Sequence, residues 1–327
     1  MRGTIMDYLY SLQLIREGAP EILNTILLGI SEFITFGGIF IASFIYWCRN
    51  KRYGAFILAS FSGGYMLNQV FKNTACIFRP WVSDPRLTLA EAASSSATGY
   101  SFPSGHTLSA TAVYGGTAVY GKSNKALTVI MVIMVILTGF ARNWLGAHTL
   151  LDVGFAVMEG ICVLAINLYL MKLIARRDEA EGRESGLGST RLVLVILGVI
   201  LVVCSMIYLV NKDYPMDVDA NGKLLADPYE MLTDCFTGAG MFLGFLLGWA
   251  FEKAFVNFRV EGTKKQLALR FLLGFLSLAV IYLAVLPLLL SSLDDHTEHI
   301  IKYFVVFFYA TGLYPLFIKL VQNRRKA

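Results

Sequence analysis

The chain of 327 residues is 56 % hydrophobic and only 16 % charged, with a net charge of +5 and a mean hydropathy of +0.60. Soluble domains carry about 25 % charged residues, so this composition excludes an ordinary soluble protein and points to one embedded in a membrane. The positive excess is scattered in short loop clusters, which gives no indication of a nucleic-acid partner.

No secretory signal peptide is expected at the N-terminus. Residues 4–16 place Ile5, Leu9, Leu12 and Ile15 on one face, which predicts a short amphipathic helix lying in the membrane interface. Apolar stretches near the ~20 residues needed to cross a bilayer then recur at 24–47, 53–71, 105–121, 126–144, 152–174, 191–210, 230–251, 268–290 and 301–320. The predicted fold is all-α: a polytopic transmembrane bundle of about nine spans. Glu32 in the first span and Glu159 in the fifth read either as proton relays or as satisfied interior carboxyls.

Three polar islands interrupt the first half. Lys72 and Arg79-Pro80 follow the second span, with Asn68 and Gln69 one turn earlier. A long loop, 81–102, comes next, and its Trp81, Leu87 and Leu89 are placed to meet lipid headgroups. Pro103-Ser104-Gly105-His106 then opens the third span, whose Ser109, Ala110, Ala112, Gly115, Gly116 and Ala118 permit close helix packing. Arg142, His148 and Asp152 form the third island.

Ionisable groups beside membrane spans are costly, about 2.5 to 3.5 kcal/mol each at a helix centre. Six of them in one region call for a function. At i and i+4 on a helix, His148 and Asp152 share a face, so the carboxylate can orient the imidazole and leave its other nitrogen as a nucleophile. Taken alone, the same pair also reads as a packed structural contact. Pro103-Ser104-Gly105 exposes first-turn N–H groups, a ready phosphate cradle, and sets His106 beside it as a proton donor. Lys72, Arg79 and Arg142 supply the positive charge that a phosphoryl transition state requires; lipid-headgroup binding is the plainer reading of the three cations. No carboxylate cluster suited to magnesium accompanies them, so a metal-free site with no cofactor is expected. Cys48, Cys76, Cys162, Cys204 and Cys235 have no ligand spacing and read as packing residues.

Residues 175–190 form a charged, glycine-containing linker, dividing a catalytic bundle (1–174) from a four-span C-terminal membrane domain (191–327) without a motif. Arg49, Lys51 and Arg52; Lys122 and Lys125; Arg176, Arg177, Arg183 and Arg191; Lys253, Arg259, Lys264, Lys265 and Arg270; and Lys319, Arg324, Arg325 and Lys326 fall in alternate loops. Acidic residues, Asp213, Asp217, Asp219 and Asp227, then Asp294, Asp295 and Glu298, occupy the others. The positive-inside rule therefore predicts an N-terminus outside, a C-terminus in the cytoplasm and all three islands on the extracytoplasmic face of the cell membrane.

In order, type and spacing, the three islands resemble the tripartite signature of the type 2 phosphatidic acid phosphatase superfamily, which includes the vanadium haloperoxidases; they cover roughly residues 72–152. Ala141 departs from that pattern, which often has Ser before the third-island Arg. The resemblance implies His148 as nucleophile through a phosphohistidine, Asp152 as its orienter and His106 as general acid. It implies Lys72, Arg79, Ser104, Gly105 and Arg142 as the phosphate-binding residues. It further implies a lipid phosphate phosphatase working at the outer leaflet. Polyprenyl diphosphates such as undecaprenyl diphosphate are the first choice of substrate, with phosphatidate or phosphatidylglycerol phosphate next. A phosphotransferase passing the group to an acceptor hydroxyl shares the same first half-reaction, and a lipid-transport role for the C-terminal half is the remaining alternative.

Overall fold

The computed structural model describes residues 2–182, 186–219 and 221–324, the side chains of Arg2 and Phe36 excepted. Arg183, Ser185, Arg325 and Lys326, which the loop-charge and linker readings used, lie outside the described residues.

A first helix, α1 (Arg2–Glu17), leads to α2 (Glu21–Cys48) and α3 (Lys51–Ala75), and a short α4 (Pro80–Ser83) opens the long loop. Next comes α5, which starts at Gly105–Ala110 and runs through a π-turn at Thr111–Gly115 to Gly116–Tyr120. It is followed by α6 (Lys125–Trp144) and α7 (Leu150–Ala180). In the second half are α8 (Gly188–Val210), α9 (Pro228–Phe251, extended through Glu252–Val256), α10 (Lys264–Val280, extended through Ile281–Val285 and Leu286–Leu290) and α11 (Asp295–Phe308, extended through Tyr309–Leu313 and Tyr314–Arg324). Among the described residues there is no strand, only one bridge between Val218 and Leu224. The fold is all-α.

Every predicted span coincides with a helix, yet not every helix is built like one that meets lipid. Among the described residues six helices, α6 to α11, are long and apolar enough to cross a membrane, and α2 makes a seventh if its two segments, bent by 46° between Thr35 and Gly37, count as one. The bend falls beside Gly37-Gly38, a pair that weakens a helix locally. The chain is therefore a multi-pass membrane protein with six or seven helices of that kind. The other two differ for a physical reason. Over most of its length α3 is buried by other helices, so it tolerates Asn68, Gln69, Lys72 and Asn73, while α5 with its continuation covers only residues 105–120.

The two halves share one core. Ile34, Trp47, Phe56 and Val113 pack in the same apolar cluster as Phe245, Val306, Phe307 and Tyr314. Trp47 Nε1 donates to the carbonyl of Ala310 at 2.8 Å, which ties the end of α2 to α11. Gly240, Gly244 and Gly248 form a stripe on α9 against which α11 lies. A Cβ at Gly240 or Gly244 would sit 2.4 Å from the Ile300 or Phe304 carbonyl oxygen. This small-residue spacing lets helix backbones approach without a hydrophobic driving force between them.

On α1 the predicted apolar face is rotated. Leu9, Leu12, Gln13 and Arg16 are buried, whereas Ile15 is 61 % exposed. The cause is Arg16, whose guanidinium donates to the carbonyls of Trp144 (3.1 Å) and Thr88 (2.9 Å). Gln13 accepts from the Thr88 N–H at 2.8 Å, so α1 clamps the long loop. Leu87 is buried in that clamp instead of facing headgroups, and Ala90 N–H bonds the Leu145 carbonyl at 2.9 Å.

Candidate active site

The three islands converge where α3 ends, α5 begins and α6 passes into α7. Cys76, in the left-handed region at φ 48°, stops α3 one turn after Lys72, and the chain reverses into Arg79, the N-cap of α4. Ser104 caps α5 by accepting from the Thr107 N–H at 3.4 Å, and its own N–H donates to the Asp152 carbonyl at 3.2 Å. That backbone bond joins the second island to the third. Capping of Thr107 leaves the Gly105 and His106 N–H groups at the helix start, where anions are favoured. Thr149 caps α7 reciprocally with Asp152: its N–H donates to Asp152 Oδ2 at 2.7 Å, and its hydroxyl accepts the Asp152 N–H at 3.2 Å.

His148 stands at the centre and is 1 % exposed. Its Nε2 is 3.0 Å from Arg79 Nη1, and its Nδ1 is 3.7 Å from Asp152 Oδ2. The second distance exceeds a hydrogen bond, because Asp152 Oδ2 is already engaged by the Ser101 hydroxyl at 2.6 Å and by Thr149. Burial first, then the Arg79 charge, holds the His148 imidazole well below its ordinary value against the pull of Asp152. The ring is therefore neutral at pH 7, and an arginine donor at Nε2 fits a lone pair on that nitrogen.

Arg79 also donates to the carbonyls of Gly99 (3.0 Å), Ala147 (2.8 Å) and Thr98, with the Trp81 ring 5.9 Å from its guanidinium carbon. Lys72 Nζ reaches the Tyr100 carbonyl at 3.4 Å. Arg142, fully buried, donates to Ser31 Oγ (3.4 Å), Ser96 Oγ (3.3 Å) and the Ser96 carbonyl (3.2 Å). All eight residues singled out by sequence, Lys72, Arg79, Ser104, Gly105, His106, Arg142, His148 and Asp152, thus lie in one cluster.

Two acidic groups complete the surroundings. Glu32 bridges two islands: its Oε1 is 2.9 Å from His106 Nε2, not aligned for a hydrogen bond, and 3.3 Å from Arg142 Nη1. The sequence showed an intramembrane carboxylate there but nothing that named its partners. Asp234 on α9, which sequence reasoning passed over, lies within electrostatic range of Lys72 and Arg79. Glu159 accepts from Asn68 Nδ2 at 2.9 Å through Oε2, while its buried Oε1 has no hydrogen-bond partner among the described residues. The second half also shapes the loop: Met231 packs so tightly on Gly99 (φ +63°) that a Cβ there would lie 1.9 Å from its Cε. Among the described residues, no group of three or more His, Cys, Asp or Glu side chains is placed to hold a metal ion.

Comparison with known proteins agrees with this geometry. The PAP2 superfamily matches residues 52–176, and the family described as "PAP2 superfamily phosphatase, transmembrane extension" matches residues 236–325. The chain belongs to the PAP2, or type 2 phosphatidic acid phosphatase, superfamily. Phosphatidylglycerophosphatase B of Bacillus subtilis (strain 168) is 29 % identical over 140 residues, which span 40 % of this chain and 64 % of that relative. No solved structure matches significantly.

Proposed function

We propose that the protein is a membrane phosphatase that hydrolyses a lipid phosphate or diphosphate through a phosphohistidine at His148. The observation that carries this reading is the neutral, buried imidazole of His148 set between Arg79 and Asp152 inside a three-cation cluster. In the first step Nε2 attacks phosphorus, a P–N bond forms and the bond to the lipid oxygen breaks. His106 delivers a proton to that oxygen, so the lipid leaves as an alcohol or a monophosphate. Asp152 offsets the charge that His148 acquires, by closing its 3.7 Å separation to a hydrogen bond.

Arg79 turns from Nε2 to the phosphoryl oxygens, where Lys72, Arg142 and the first-turn N–H groups of Gly105 and His106 also converge. Cations and helix dipoles aimed at the equatorial oxygens do what a metal does elsewhere. In the second step His106 takes a proton from water, whose oxygen attacks phosphorus. The P–N bond breaks and inorganic phosphate is released. Glu32 holds the His106 ring in place between the two steps.

Six or seven apolar helices around the site favour an amphiphilic substrate. The name of the Bacillus subtilis relative supports phosphatidylglycerol phosphate as one candidate, and family resemblance supports a polyprenyl diphosphate as the other. Alternation of basic and acidic loops supports nine spans, with the site opening on the outer leaflet. Phosphate release from a panel of lipid phosphates by purified protein tests the function. The proposal predicts turnover that survives excess EDTA and vanishes in His148→Ala; turnover lost to chelation and restored by magnesium contradicts the metal-free mechanism.

A further inference from the structure

We infer that the C-terminal half builds a binding pocket for the apolar chain of the substrate, directly continuous with the phosphate site; this rests on the phosphatase reading above. A cavity of about 330 Å³ lies between α2, α3 and α5 on one side and α9, α10 and α11 on the other. Four of its lining residues continue the helix faces that carry the site's polar groups. Thr35 follows Glu32 on α2, Ser109 follows His106 on α5, Thr237 follows Asp234 on α9, and Tyr65 precedes Asn68 and Lys72 on α3.

Three of these pairs are three residues apart, so the cavity starts about 5 Å along the axes of α2, α5 and α9 from Glu32, His106 and Asp234, while on α3 the seven residues from Tyr65 to Lys72 span about 10 Å. It also lies on the accessible side of that cluster. Arg142, His148, Asp152, Arg79 and Lys72 are buried, whereas the Glu32 and His106 side chains keep 25 % and 16 % exposure. Beyond the polar rim the walls become apolar: Phe61, Met241, Leu278 and Val306. The cavity then reaches the outside of the bundle at Leu283, which is 72 % exposed.

A chamber with a charged head end, an apolar body and a sideways mouth among lipid-facing helices fits one occupant: a single hydrocarbon chain whose phosphate sits at His148 and whose far end emerges into the bilayer. The volume is at the lower end of ligand pockets, about 300 to 1,000 Å³, which suits the near part of one chain. Three of the cavity's helices, α9, α10 and α11, belong to the second half, so this half defines which lipids the site accepts.

The test uses the full chain and n-alkyl phosphates from butyl to decyl, kept monomeric. With wild-type protein, kcat/KM rises about fourfold per methylene as the chain fills the cavity. Ala279→Trp fills the cavity from α10, a helix that carries none of the charged cluster. It is expected to leave butyl phosphate turnover within twofold and to cost decyl phosphate at least tenfold; undiminished decyl turnover overturns the pocket. A second measurement needs no variant. A decyl phosphonate with a terminal diazirine is expected to label α10 or α11 at wall positions such as Leu278 and Val306, and excess orthovanadate should suppress the label. Labelling confined to lipid-facing α8, or indifferent to vanadate as for bulk lipid, refutes the pocket. Hydrolysis without wall labelling removes the pocket and leaves the phosphatase; vanadate-sensitive wall labelling without hydrolysis of any phosphate keeps the pocket and removes the phosphatase.

Discussion

Glu32→Gln isolates the proposed partnership between Glu32 and His106. Gln keeps the side chain's shape and one acceptor oxygen, so the change removes charge and little volume. Glu32 Oε1 is 2.9 Å from His106 Nε2 and 3.3 Å from Arg142 Nη1. Opposite charges about 4 Å apart interact by about 1 kcal/mol in water and about 4 kcal/mol near a protein surface. With a quarter of the Glu32 side chain in contact with solvent, the lower half of that range applies, about 2 kcal/mol, or roughly 30-fold in rate. That loss appears only where His106 must deliver a proton. The assay compares kcat/KM for an alkyl phosphate, whose alkoxide leaves only when protonated, with that for p-nitrophenyl phosphate, whose phenolate departs unaided. Alkyl phosphate turnover is expected to fall about 30-fold and p-nitrophenyl phosphate turnover by less than threefold. Release of Arg142 from Glu32 shifts both substrates together and leaves their ratio untouched. An equal fall on both substrates assigns Glu32 to phosphate binding or folding instead; no change on either refutes the partnership.

Other consequences follow from the same geometry. The proton that inactivates His148 binds well below pH 6.5 because the ring is buried beside Arg79. Activity is therefore retained as pH falls through 6.5, and in Arg79→Gln the acid limb of the residual kcat/KM profile moves upward; an unmoved limb contradicts the electrostatic coupling. Gly99→Ala forces a side chain into a left-handed backbone position already filled by Met231, and a loss of about 2 kcal/mol in stability is expected. Gly99→Ala combined with Met231→Ala should recover part of it, measured by thermal unfolding in detergent. Single cysteines at Ser95 and Asp219, in a background lacking the native five, should react with an impermeant thiol reagent in intact cells, and one at Ser123 only after lysis. The reverse pattern would turn the site to the cytoplasm.

Much of the architecture was legible because apolar runs of membrane length announce helices directly, and all nine predicted stretches are helical. Spacing also carried the site, since Ser104 caps α5 through the Thr107 N–H and Asp152 caps α7 with Thr149, local bonds that a short motif encodes. What escaped depended on distant parts of the chain. Asp234 and Met231 reach the site from α9 with no pattern to mark them, and the partners of Glu32 follow from a helix crossing that periodicity does not specify. The rotated face of α1 has the same origin, because Arg16 turns inward to satisfy carbonyls 72 and 128 residues away. Gly240, Gly244 and Gly248 were visible at four-residue spacing, but they were read as part of a motif-free second half. The burial of Asn68, Gln69, Lys72 and Asn73 on α3 likewise depends on neighbouring helices that hydropathy does not specify.

The central claim is tested most directly by trapping the intermediate. Protein mixed with a substrate labelled in its terminal phosphate is quenched within a single turnover and digested under mild alkali, and the labelled peptide is sequenced. The account predicts an acid-labile, base-stable phosphoryl group on His148, absent from His148→Ala; label on a serine hydroxyl such as Ser104, or on a carboxylate, would contradict it.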